Sequence, residues 1–166
     1  MDLDRKEIIY LERAKSELEL ARVVFEISSK DSLKESLELK NDATFFSNVI
    51  SSCYYCIFYS AKAILKLKDV ETRPPEEHKK TLEEFEKLVK SGEIDEELLG
   101  IYEDIVIKAD ELLGIFKKEK SKRGKFTYRK FPQTNLEPAR ESLENAKRFF
   151  KNINLVIKSG NAKHDE

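Results

Sequence analysis

A chain of 166 residues with 31 basic and 32 acidic side chains can bury a core of its own. It is too near neutrality for bulk attraction to nucleic acid or to an anionic membrane. Five Gly, four Pro and no Trp leave little turn chemistry for an all-β fold, while two cysteines exclude a disulfide scaffold and make a cytoplasmic location the expectation.

The N-terminus, MDLDRKEIIY, is charged from its second residue, so no secretory signal is expected. The first helix is expected over Asp4 to Ser28. Its Ile8, Leu11, Ala14, Leu18, Ala21 and Phe25 recur at three- and four-residue steps and form a seam for one neighbour. Ser28 to Asp42 is polar and reads as a connection, longer than a tight helical hairpin needs, although Leu33, Leu37 and Lys40 have the spacing of a short helical turn.

Ala43 to Lys68 is the stretch around which the rest is organised. No residue from Ala43 through Ala61 carries a formal charge. Phe46, Ile50, Cys53, Ile57, Ala61 and Ile64 make one apolar stripe, and Phe45, Val49, Cys56, Ala63 and Leu67 make a second. A helix apolar on most of its circumference has neighbours on most sides, so this is the expected central helix of a bundle. Thr44, Ser47, Asn48, Ser51, Ser52 and Ser60 interrupt it too often for a membrane span, which needs about 20 predominantly apolar residues.

Arg73-Pro74-Pro75 stops that helix, because Pro disfavours the α region before it. A third helix is expected from Pro75 to Lys90, with acidic residues in its first turn and Leu82, Phe85, Leu88 and Val89 buried. Ser91-Gly92 ends it. Asp95 caps a fourth helix whose seam is Leu98, Ile101, Ile105, Ala109, Leu112 and Phe116. Thr134-Asn135-Leu136-Glu137 reads as a capping box for a fifth helix to about Lys158, with Ala139, Leu143, Ala146, Phe150, Ile153 and Ile157 inward. Residues 159–166 are expected to be a disordered tail. The sum is one all-α domain over residues 1–158, an antiparallel bundle of about five helices.

The segment Lys117 to Lys130, KKEKSKRGKFTYRK, holds eight basic residues and one acidic, whereas Glu71 to Glu111 holds fourteen acidic and six basic. Cations favour phosphate, and exposed aromatics stack bases for about 1–3 kcal/mol each. Lys122, Arg123, Lys125, Tyr128 and Arg129 are therefore the candidate nucleotide- or RNA-binding residues, against the plainer reading of a solvated helix end whose cations face the negative pole of the dipole. Cys53 and Cys56 have a C-x-x-C spacing, but both fall on buried faces inside a helix, and a structural zinc site wants four ligands. They read as small core residues; no metal and no cofactor is expected. Tyr54, Tyr55, Phe58 and Tyr59 cover more than one helical face. They are either core rings or the aromatic centre of a homodimer interface, which a monomeric mass by light scattering would count against. Charge carried mainly by Lys and Glu, with a single Gln, leans toward a thermophilic source.

Cys53-Tyr54-Tyr55-Cys56-Ile57-Phe58, followed by Ala61-Lys62-Ala63-Ile64-Leu65, resembles the second helix of the HEPN domains, and of one uncharacterised prokaryotic branch in particular. That helix typically reads Arg-Ala-Tyr-Tyr-Ala-Met-Phe before small residues and an Ala-Leu-Leu ending. Tyr54, Tyr55, Phe58, Ala61 and Ala63 match it, while Cys53 and Cys56 stand where the family has Ala and Ser52 where it has Arg. Glu77-His78-Lys79 falls at the family's Ser-His step, Arg123 to Tyr128 at its Arg, two residues, Ala-Asp-Tyr, and Ala146 with Phe149 and Phe150 at its last helix. The resemblance spans Arg5 to Ile157.

It implies a helical bundle, often dimeric, and two activities. Some HEPN domains are metal-independent ribonuclease toxins that use an Arg, four to six residues, then a His. Others partner a minimal nucleotidyltransferase. Here Tyr128 follows Arg123 where active members have His, and an ordinary Tyr does not titrate near neutral pH. Arg73 and His78 also satisfy the Arg-x4-His spacing, but before the third helix and outside the family's motif position. They are the lesser catalytic candidates. The expectation is a regulatory module associated with nucleotide or RNA, homodimeric, and the partner of a small nucleotidyltransferase in a toxin–antitoxin-like pair, with no catalysis. The alternatives are a ribonuclease toxin and a purely structural interaction module.

Overall fold

The computed structural model describes residues 5–114, 116 and 135–162. Its elements are α1 (Lys6–Ser29), α2 (Asp31–Ser36), α3 (Phe46–Leu67), α4 (Glu77–Lys90), α5 (Glu96–Leu113) and α6 (Leu136–Ala162), with no strand among the described residues. The expected all-α bundle is what forms.

α3 is its axis: it packs against α1, α4, α5 and α6. Val49, Ile50, Cys53, Tyr54, Cys56, Ile57, Ala61, Ala63 and Ile64 are completely buried, so both predicted stripes face protein along the helix, while Phe45, the first residue of the second stripe, precedes the helix and is exposed. α1 runs antiparallel to α3, since Tyr10 stacks on Tyr59 and Phe25 lies against Phe46. α6 runs with α3: Arg140 near its start lies over Phe25, and Gly160 near its end meets the Leu67 side chain. α5 is antiparallel to α6, joined by Arg148 to Glu97 at 2.5 Å and Lys108 to Glu141 at 3.4 Å. Between α4, α5 and α6, the rings of Phe85, Tyr102 and Phe149 form a fully buried triad with centroids 5.4–5.9 Å apart. Such offset and edge contacts are favoured by the ring quadrupole beyond their area burial.

Several details differ from the sequence-based expectation. The connection after α1 contains the six-residue helix α2, held by Lys34 Nζ donating to the Asn41 carbonyl at 3.0 Å. α3 starts at Phe46 rather than Ala43, and the Phe45 N–H donates to buried Ser28 Oγ at 2.8 Å instead of entering a helical ladder. α4 starts at Glu77 rather than Pro75, with Glu76 in the left-handed region at φ 59° and the Pro74–Pro75 peptide cis. α5 stops at Leu113 because Gly114 adopts φ 62°, ψ 31°, a glycine stop of the usual kind, so Phe116 reaches the core beyond the helix and not along it. α6 continues to Ala162, past the expected end at Lys158.

Burial also departs from the pattern. Ile8 of the α1 seam is exposed, and on α6 the fully buried ring is Phe149, with Phe150 only partly covered. On α4 only Phe85 of the four expected residues is fully inside, beside Thr81. The Thr134 end of the capping box lies outside the described residues.

Candidate functional site

The N-terminus of α4 docks on the middle of α3 and builds the polar centre of the molecule. Thr72, just ahead of α4, is buried, and its Oγ1 shares a 2.6 Å hydrogen bond with Thr81 Oγ1. Thr81 Oγ1 also lies 2.7 Å from the Glu77 carbonyl. Lys62 of α3 is buried, donates to the Thr72 carbonyl at 3.1 Å and is paired with the Glu77 carboxylate. Its ammonium lies 5.1 Å from the Tyr10 ring centroid and 5.7 Å from that of Phe58, an arrangement in which ring quadrupoles offset part of the lost hydration.

One residue further along, His78 turns inward. Its Nδ1 lies 2.7 Å from the Tyr54 hydroxyl, and its ring stacks on Phe58 with centroids 4.5 Å apart. Tyr55 and Phe116 meet it edge-on at 6.2 and 6.4 Å. Burial is the main force on its titration and holds its pKa below the usual 6.5; Glu77 opposes this and Lys62 adds to it. Burial likewise raises the Tyr54 phenol far above its ordinary range, so Tyr54 stays a neutral hydroxyl. The pair is thus a neutral imidazole and a neutral phenol at pH 7, its shared proton on either partner according to the His tautomer.

The sign of the resulting pH effect follows from linkage. Between the depressed folded pKa and 6.5 the unfolded chain binds a proton at His78 that the folded chain resists, so stability is full above about pH 6.5 and is lost as pH falls below it. In urea melts between pH 5 and 7.5, the native chain is expected to lose stability on the acid side of this window, while His78→Gln flattens that slope. A slope unchanged by the substitution would remove His78 as its origin.

Arg73 does not share this pocket. Its side chain is 77% exposed and its guanidinium bonds Glu71 at 2.6 Å, with no hydrogen bond to His78 among the described residues. The two members of the Arg-x4-His spacing are therefore committed to different partners. The α5 end of the site was not legible in advance. Buried Asp110 accepts the Phe116 N–H at 2.7 Å, buried Asn135 opens α6, and the Tyr102 hydroxyl is buried without a hydrogen-bond partner among the described residues. The one sequence signal was the intrusion of Lys108 and Asp110 into an apolar run.

Compared with known proteins, the chain matches no protein-family model, no curated protein and no solved structure.

The remaining candidates fall as follows. Lys122, Arg123, Lys125, Tyr128 and Arg129 lie outside the described residues. Tyr54 and Phe58 are enclosed by this chain's own core and have no surface for a second chain, whereas Tyr55 and Tyr59 are half-buried and stacked on each other at 6.2 Å. Cys53 and Cys56 are free and fully buried; burial pushes the Cys53 thiol up to about 12 and raises Cys56 further, so neither is a thiolate at pH 7. No group of three or more His, Cys, Asp or Glu that could hold a metal occurs among the described residues, and no described helix is long and apolar enough to cross a membrane.

Proposed function

We propose that this chain is a regulatory module that associates with RNA or nucleotide through its basic stretch, Lys117 to Lys130, and does not cleave it. The observation that carries the reading is the charge separation of the sequence: eight cations against one carboxylate over those fourteen residues, with Phe126 and Tyr128 interleaved. The described chain on either side supports it. Phe116 is buried with its N–H on Asp110 and its ring beside His78, and Asn135 is buried at the start of α6, so the described residues that flank positions 117–134 are anchored in the core. Replacing Lys122, Arg123 and Lys125 together by Ala is expected to weaken oligoribonucleotide binding by about tenfold or more and to flatten its salt dependence, read by fluorescence anisotropy. Equal affinity and an equal salt slope for the variant would remove the basic stretch as the binding surface.

The resemblance to HEPN domains extends the reading to partners: a second copy of this chain, and a small nucleotidyltransferase in a toxin–antitoxin-like pair. For the homodimer the support is the outer face of α1, where exposed Ile8 and Ile9 flank a groove with Tyr59. Glu12, Arg13 and Glu17 rim it with both signs of charge, which a two-fold related copy can match.

A ribonuclease is the competing reading. It is favoured by one observation: His78 is a neutral imidazole held in place by the 2.7 Å hydrogen bond between its Nδ1 and the Tyr54 hydroxyl, and neutral imidazole is the form a general base requires. Against it stands the engagement of Arg73 with Glu71 rather than with His78.

A further inference from the structure

A second cationic centre lies at the end of the bundle where α1 begins and α3 ends. The Val70 N–H closes onto the Leu65 carbonyl at 2.9 Å, and Thr72 is drawn inward by Lys62 and Thr81, which leaves its two neighbours, Glu71 and Arg73, facing outward. Glu71 then receives three cations from three parts of the chain. Lys6 of α1 reaches Oε1 at 3.2 Å, Lys66 of α3 reaches Oε1 at 2.5 Å, and Arg73 reaches Oε2 at 2.6 Å. These bonds hold the Glu71 carboxyl far below the usual carboxylate range, so it is always charged. One negative charge among three positive ones leaves an excess of two.

Among the described residues, Asp69 offsets that excess only in part. Asp69 acts on Lys66 only at a distance, and the Tyr10 hydroxyl lies near both Lys66 and Arg73. On the other side of Arg73 an open hollow of about 360 Å³ is bordered by Thr72, Lys80 and Glu84, with Lys80 Nζ on the Arg73 carbonyl at 3.4 Å and Glu84 already paired with Lys87 at 2.7 Å. Glu71 keeps the three cations together despite their mutual repulsion. Arg73, most exposed of the three, is free to turn one edge of its fork to a ligand while the other stays on Glu71.

We infer that Lys6, Lys66 and Arg73, gathered by Glu71, form a site for a phosphate monoester, the doubly charged terminal phosphate of a free nucleotide or of an RNA end. Two excess positive charges match a dianion and are poorly used by the single charge of an internal phosphodiester. The inference rests on the nucleotide-or-RNA reading only for the source of the phosphate, since the basic stretch at Lys117 to Lys130 takes no part in it.

The test compares AMP with adenosine, by ligand-observed NMR, and a 5′-phosphorylated oligoribonucleotide with its 5′-hydroxyl twin, by anisotropy. At least one phosphorylated probe is expected to bind about tenfold better than its unphosphorylated counterpart. That preference is expected to vanish in Arg73→Ala and Lys6→Ala, both surface changes in a folded chain, and to persist when Lys122, Arg123 and Lys125 are replaced. A preference for AMP alone assigns a free nucleotide, and one for the oligonucleotide alone assigns an RNA end. No preference with either pair, or a preference that survives Arg73→Ala, overturns the site. A chain that binds no RNA yet prefers AMP through Arg73 would sink the RNA reading and leave this site standing.

Discussion

Phe149→Ala is expected to destabilise the fold by about 3–5 kcal/mol, which against an ordinary domain stability of about 5–15 kcal/mol removes about a fifth or more of the total. Phe149 is completely buried and touches both Phe85 and Tyr102, which belong to two other helices. Truncation therefore loses the transfer energy of a ring and two aromatic contacts, and leaves a cavity among three helices that cannot all move in at once. Phe150→Ala, one position along but only partly covered, is the matched control and is expected to cost well under half as much. Urea unfolding of the two variants decides it. If Phe150→Ala costs as much as Phe149→Ala, the packing of α6 described above is wrong.

Glu77→Gln is expected to cost about 2 kcal/mol, more than Lys62→Met at about 1 kcal/mol. The asymmetry follows from exposure. The Lys62 side chain is 9% exposed and that of Glu77 27%, so losing the carboxylate strands a buried ammonium between two rings, whereas losing the ammonium leaves a carboxylate that can turn to water. Met keeps the aliphatic stem of Lys62 against Phe58 and Tyr10, and its main penalty is the Thr72 carbonyl left without its donor. The double variant is expected to cost no more than Lys62→Met alone, which gives a coupling energy of about 2 kcal/mol or more in a double-mutant cycle. A coupling near zero would mean that the pair is a surface ion pair in effect, and that the docking of α4 rests on its threonines.

These two cases also show what a sequence can and cannot reveal. α3 was legible because an uncharged run of this length in a highly charged chain has only one place in a helical bundle, at its axis. Lys62, in the same helix, was not: charge is ordinarily read as a solvent-facing position, and its partners Glu77 and Thr72 come from another part of the chain. The Phe149–Phe150 ambiguity is geometric, since both stand at allowed helical steps from Ala146 and only the third dimension chooses. Gly114 fell within a heptad-spaced seam that continued through Phe116, so the pattern hid the end of α5. α2 left only the spacing of Leu33, Leu37 and Lys40, too short a pattern to tell a six-residue helix from a connection.

For the site, the chain order of Tyr54 and His78 was readable but their 2.7 Å contact was not, because nothing local links residues on different helices. The Glu71 cluster was even less accessible. It joins Lys6, Lys66 and Arg73 across most of the first half of the chain, and each of these would pass alone for an ordinary surface charge. The basic stretch, by contrast, is a property of composition and needed no structure to be seen.

Incubating the purified chain with a labelled oligoribonucleotide in EDTA, and following both anisotropy and strand length, tests the central claim most directly. A binding module gives a saturable anisotropy change that weakens steeply with added salt, with the RNA intact throughout. Shortened RNA whose appearance requires His78, or no binding at any salt concentration, would contradict it.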